Sequence, residues 1–140
     1  MINIKLKDMR KNKYILLIGC FCLSIQSLSA IDIKRYVKEG GTGNGTSWEN
    51  ACGSIQQAIE NCKVAGSGTV YIAEGVYYEC VTFPSRSNNV KLLGSFPKNG
   101  GDVQNYRGTP SIIDGRNQPY CMQIKHCSNV TVDGILMRGG

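Results

Sequence analysis

The sequence is poor in the features that mark many protein classes. It has four prolines, one histidine and one tryptophan in 140 residues. With so few prolines and no G-x-y period, it is neither collagen-like nor Pro-rich. Its seven cysteines contain no CxxC, so a zinc site has no support in the spacing. No apolar run reaches the ~20 residues that a helix needs to cross a bilayer. The Gly-rich stretch at 40–47 (GGTGNGTS) lacks both GxGxxG and GxxxxGK[ST], which argues against a phosphate cradle. No basic block exists in the body of the chain. The formal charge is +6, but residues 1–29 hold five basic groups against one acid. Residues 30–140 carry 11 basic and nine acidic groups, a net of +2. An electrostatic footprint for nucleic acid is therefore absent.

What is present suits a single folded domain: 41% hydrophobic and 19% charged residues. Glycine is abundant, 17 residues, about 12% where ~7% is ordinary, and marks turns. The first segment reads as an export signal. Basic residues precede the apolar run YILLIGCFCLSI, and small residues Ser27, Ser29 and Ala30 follow. Cleavage is expected near Ser29 or Ala30, which removes Cys20 and Cys22 and leaves no transmembrane span. The segment LIGC also resembles a lipobox, which would make Cys20 a lipidation site. The expected location is outside the cell: secreted, or on the cell surface or outer membrane. Five cysteines remain: Cys52, Cys62, Cys80, Cys121 and Cys127. Their odd number leaves at least one without an intrachain partner, and Cys packs well as a small apolar residue.

The organisation expected is a signal at 1–29, a strand, Gly-rich loop and helix at 30–65, and a β repeat at 66–140. A first strand is expected at 34–38. Ser54 with Gln57 matches a capping box, and Ile55, Ala58, Ile59 and Cys62 form one apolar helical face. Gly66 and Gly68 stop the helix. Trp48, just before it, reads as a plug beneath the helix or as a sugar-stacking platform. After Gly68 the helical period disappears. Short strands are expected at 69–73, 81–83, 90–93, 111–113, 122–125, 130–132 and 135–137. Four of the runs close on glycine: VYIAEG, VKLLG, SIIDG and VTVDG, at Gly75, Gly94, Gly115 and Gly134. Their spacings of 19, 21 and 19 give a period of ~20, a solenoid signature. Asn89 and Asn129 begin two of the runs, 40 residues apart, which this period makes two repeats. The glycines should then stand in one line. Parallel stacking would point Val90, Leu92, Val130 and Val132 inward, with the helix closing the open end of the column.

Residues 36–140 resemble the start of a secreted bacterial right-handed parallel β-helix protein of the pectin-lyase-like superfamily. The resemblance rests on YVKEGGTGNGTSWENACGSIQQAIENC, GTVYIAEGVYYE and NVTVDGILMRGG. It implies an all-β solenoid with a capping α-helix on its first coil. About three to four coils fit into 66–140, and the expectation is a chain truncated at its C-terminus. The class includes pectate lyases, polygalacturonases and surface proteins without known activity. Polysaccharide or surface glycan is thus the expected partner. The preferred function is an exported glycan-binding protein without a complete catalytic set. The alternatives are the N-terminal fragment of a polysaccharide lyase or glycoside hydrolase, and a truncated product without function.

Asp114 and Asp133 occupy equivalent positions in IIDG and TVDG. As equivalents on adjacent coils they would be weak candidates for catalytic carboxylates or Ca²⁺ ligands. Equally, each Asp-Gly can simply make a turn. Asn89 and Asn129 read as a ligand contact or as stacked amides. His126 lacks any triad context and reads as a turn residue. Arg107, Arg116, Lys125 and Arg138 could meet an acidic glycan but look like ordinary solvated charges. Tyr77, Tyr78 and Tyr106 on one solvent face would favour glycan binding. The polar loop at 98–110 is the favoured place for ligand contact. Asn44 and Asn129 head N-x-T acceptor motifs.

Overall fold

The computed structural model describes residues 30–104 and 108–140. The segment at 1–29, expected to be a signal, with Cys20 and Cys22, and also Tyr106 and Arg107, lie outside the described residues. The fold is mostly β, with parallel sheets and one short helix. Its elements are β1 (Ile31–Val37), α1 (Ile55–Ala65), β2 (Gly66–Ala73), β3 (Gly75–Tyr77), β4 (Val81–Phe83), β5 (Val90–Phe96), β6 (Ser111–Asp114), β7 (Met122–Ile124), β8 (Thr131–Asp133) and β9 (Ile135–Arg138). Three sheets form, in the orders β1-β2-β5-β8, β3-β6-β9 and β4-β7. All six pairings between these strands are parallel. The chain visits the three sheets in turn and then returns to the first. Strand β1 belongs to the first sheet, so residues 30–65 and 66–140 share one sheet. No helix among the described residues is long and apolar enough to cross a membrane.

Alternation in the sequence decides which side chains face inward. In β5, Val90 and Leu92 are buried while Lys91 between them is exposed. In register, Val70 pairs with Leu92 and Leu92 with Val132, so each strand adds one residue to the same inner row. Val130 and Val132 pack against this core, as their pattern predicts. Val81, Phe83, Tyr77 and Ile113 fill it from the other two sheets.

Helix α1 packs against β1 and β2 of the first sheet and β4 of the third. Ile55, Ala58, Ile59 and Cys62 are its buried residues, the apolar face read from the sequence. Ser54 is the N-cap and its hydroxyl accepts the Gln57 N–H at 3.2 Å. Gly66 ends the helix in the left-handed region (φ 92°). The carboxylate at the start of the helix is supplied from a distance by Glu79. It accepts the Ile55 N–H at 2.7 Å, the Gln56 N–H at 3.2 Å and the Ser54 hydroxyl at 2.9 Å. An anion there satisfies helix N–H groups and complements the helix dipole. Gln56 covers the edge of β4: its amide donates to the Thr82 carbonyl at 2.9 Å and accepts the Thr82 N–H at 2.8 Å. A side-chain amide thus stands in for the missing neighbouring strand. Glu79→Ala should cost about 2–3 kcal/mol, because these bonds go to a charged acceptor and partly buried donors lose it. Urea unfolding would measure this; an unchanged midpoint would show that Glu79 only decorates the cap.

Three expectations need correction. Strand β3 was not among the expected strands. The period is not a uniform ~20: Gly68 pairs with Val90, Lys91 with Thr131, Gly75 with Ser111 and Ser111 with Ile135. With Val81 paired to Met122, the register offsets thus run from 22 to 41 residues. The 40-residue interval is one circuit, lengthened by the loop between β5 and β6. The glycines accordingly do not form a single line. Gly94 lies against Gly134, Gly115 lies against Gly139 on another sheet, and Gly75 starts β3. Trp48 does not lie beneath the helix. It packs with Tyr36 (4.9 Å between ring centroids) and Phe96 (5.6 Å), and its Nε1 donates to the Gly101 carbonyl at 3.0 Å. Tyr71 completes this cluster, which pins the base of the loop to the first sheet.

Candidate functional site

Outward-facing side chains of the second sheet form a groove floor. Val76, Ile112 and Leu136 are in register on β3, β6 and β9, and Leu136 is exposed. Their inward neighbours Tyr77 and Ile113 are buried, so the apolar floor follows from alternation. Three clefts adjoin it. The first, about 380 Å³, is lined by Glu39, Ser54, Val76, Tyr78 and Glu79 among others. The second, about 300 Å³, shares Glu39 and Val76 and adds Glu74, Lys98, Pro110 and Ile112. The third, about 220 Å³, shares Tyr78 and Glu79 with the first and adds Asp114 and Arg116. The first cleft thus shares lining residues with each of the other two.

Tyr78 is the exposed aromatic of the groove, with the Arg116 guanidinium 4.0 Å from its ring centroid. Tyr77 does not join it on the solvent face. It is buried, its hydroxyl donates to the Ala73 carbonyl at 2.8 Å, and burial pushes its phenol well above the ordinary range. Lys98, Thr109 and Pro110 bring the two ends of the expected contact loop into the second cleft.

The candidate carboxylates lie apart in the topology. Asp114 ends β6 in the second sheet, where its neighbour is Arg138. Asp133 is on β8 in the first sheet, opposite Leu93. The likeness of IIDG and TVDG therefore joins positions at different places around the column. Asp114 accepts the Arg116 N–H at 2.9 Å and the Arg138 Nε–H at 2.8 Å. Together these bonds hold its carboxyl below the usual range. The local bond to Arg116 is the turn geometry that Asp-Gly suggested. No group of three or more His, Cys, Asp or Glu placed to hold a metal ion occurs among the described residues.

Asn89 and Asn129 meet directly: the Asn129 amide donates to Asn89 Oδ1 at 2.8 Å. Both are left-handed (φ 56° and 53°), so they form a turn ladder across one circuit. His126 is an exposed turn residue with φ 53°, and its carbonyl accepts the Arg86 N–H. Arg138 is ion-paired with Asp114, and Lys125 is exposed. Cys52, Cys62, Cys80, Cys121 and Cys127 are all free thiols, and Cys52, Cys62 and Cys121 are buried. Burial pushes the Cys62 thiol up to about 11, the behaviour of a packing residue rather than a reactive one. Asn44 Oδ1 accepts from the Thr46 N–H and hydroxyl within the Gly-rich loop.

Glu39, Glu74 and Glu79 were missed in the sequence. Glu79 lies 23 to 25 residues from the groups it holds, beyond any local motif. Alternation in GVYY is the signal that would have set Val76 and Tyr78 outward and Tyr77 inward, but it was not read because no strand was expected there. Comparison with protein-family models, curated proteins and solved structures finds no match to this chain.

Proposed function

We propose that this chain is an exported, pectin-lyase-like right-handed parallel β-helix protein that binds polysaccharide along the outer face of its second sheet. The solenoid reading is supported by the cyclic visit to three parallel sheets and by the helix across one end. Export is supported by the signal pattern at the N-terminus. The observation that carries the binding role is the row of adjoining clefts, with Val76 and Ile112 in their lining and Tyr78 exposed beside them. Sugar rings present apolar C–H faces and polar edges. Val76, Ile112 and the Tyr78 ring suit the faces, while Arg116 and the flanking carboxylates suit the hydroxyls. The lyase or hydrolase alternative draws no support from Asp114 and Asp133, which lie on different sheets.

The test is titration calorimetry of the purified protein against neutral, cationic and anionic oligosaccharides of several linkages. Binding should appear for at least one of them. Tyr78→Ala should weaken it about tenfold, the loss of one stacked ring. Absence of binding across the panel, or a Tyr78→Ala protein that binds unchanged, would remove the groove as a glycan site.

A further inference from the structure

Resting on this groove reading, we infer that the glycan it takes carries free amino groups, as glucosamine units do, rather than uronate carboxylates. The first and second clefts meet at Glu39 and Val76. The linings of these two clefts hold three acidic residues, Glu39, Glu74 and Glu79, and one basic residue, Lys98. Glu79 is already committed to the helix N-terminus. Glu74 accepts one backbone N–H, from Lys98, at 3.3 Å. Glu39 is exposed and lines both clefts. Its carboxylate lies across Gly75, where an added Cβ would come within 3.1 Å of Oε2. The missing side chain at Gly75 thus lets this charge lie over the groove.

A ring seated on Val76, Ile112 and Pro110 would have its substituents between Glu39 and Glu74. An ammonium there gains two carboxylates, whereas a uronate meets like charge. The net charge of +2 on residues 30–140 acts in the opposite direction, since net positive charge draws acidic polymers. A preference for the cationic glycan would therefore have to come from the groove.

The experiment titrates the protein, at mildly acid pH and low ionic strength, with oligomers of glucosamine, N-acetylglucosamine and galacturonate of equal length. Glucosamine should bind about tenfold tighter than N-acetylglucosamine, galacturonate should bind most weakly, and added salt should narrow the differences. The neutral isosteres in Glu39→Gln/Glu74→Gln should abolish the preference, so that glucosamine and N-acetylglucosamine oligomers bind the variant with equal affinity. Galacturonate binding as tightly as glucosamine would overturn the inference while leaving the glycan reading intact. A double variant that keeps the preference would do the same. If none of the three oligomers binds, nor any neutral glycan, the glycan reading itself fails and takes the inference with it.

Discussion

Ile59→Asp should yield no recoverable folded protein, and Ile59→Ala should fold with a loss of about 2–5 kcal/mol. Ile59 is fully buried on the helix face that covers the column, beside Ile55, Ala58 and Cys62. The alanine variant removes apolar volume and leaves a cavity. The aspartate variant also places a carboxylate where no cation is among the cluster's residues, Ile55, Cys62, Val70, Val90 and Leu92 included. Burying an unpaired charge costs enough to consume the ~5–15 kcal/mol stability of a small domain. Expression yield, solubility and thermal unfolding of both variants decide the matter. A soluble Ile59→Asp protein with an unchanged melting midpoint would mean that the helix seals nothing.

That helix was legible because its signals are local. A cap, a 3.6-residue apolar period and a stopping glycine all lie within a dozen residues, and all three recur in the structure. The strands were legible as short alternating runs, and their inward residues followed. The bounds of β1 and β5 were less so. At β5 the sequence pattern ends with LLG, whereas the strand continues through Ser95 at φ 67° to the buried Phe96. The arrangement around the column was not legible, because circuits of different length break any single period. The loop between β5 and β6 lengthens one circuit, so a fixed spacing paired Asp114 with Asp133 and separated Asn89 from Asn129. The groove was partly visible through Tyr78 and the loop at 98–110. Its carboxylates were hidden because Glu39 shares one cleft with Glu74 and another with Glu79, which are 35 and 40 residues further along the chain.

Gly94→Ala should destabilise the protein by about 3 kcal/mol or more, although Gly94 carries no special backbone angle to lose. The reason is space. Lys91, Leu92 and Leu93 pair with Thr131, Val132 and Asp133, which brings Gly94 against Gly134 on the next circuit. A Cβ at Gly94 would stand 2.3 Å from the Gly134 carbonyl oxygen and 2.9 Å from its carbon. Both obstacles are backbone, so no side-chain rotation relieves the clash. Either β5 and β8 move apart, losing ladder bonds next to the row that holds Leu92 and Val132, or the Gly134 turn refolds. That turn is itself tied in: Gly134 has φ 67°, and its carbonyl accepts the Ser95 hydroxyl at 3.1 Å and the Ser111 N–H at 3.3 Å. Gly101→Ala serves as the comparison. Its nearest neighbours are the Pro97 ring carbons at 3.2 Å, at the loop surface, so its cost should stay below about 1 kcal/mol. Urea midpoints for the two variants should therefore separate clearly, with Gly94→Ala far lower. Equal midpoints would mean that the Gly94–Gly134 approach is not maintained in solution, and with it the 40-residue circuit that sets this register.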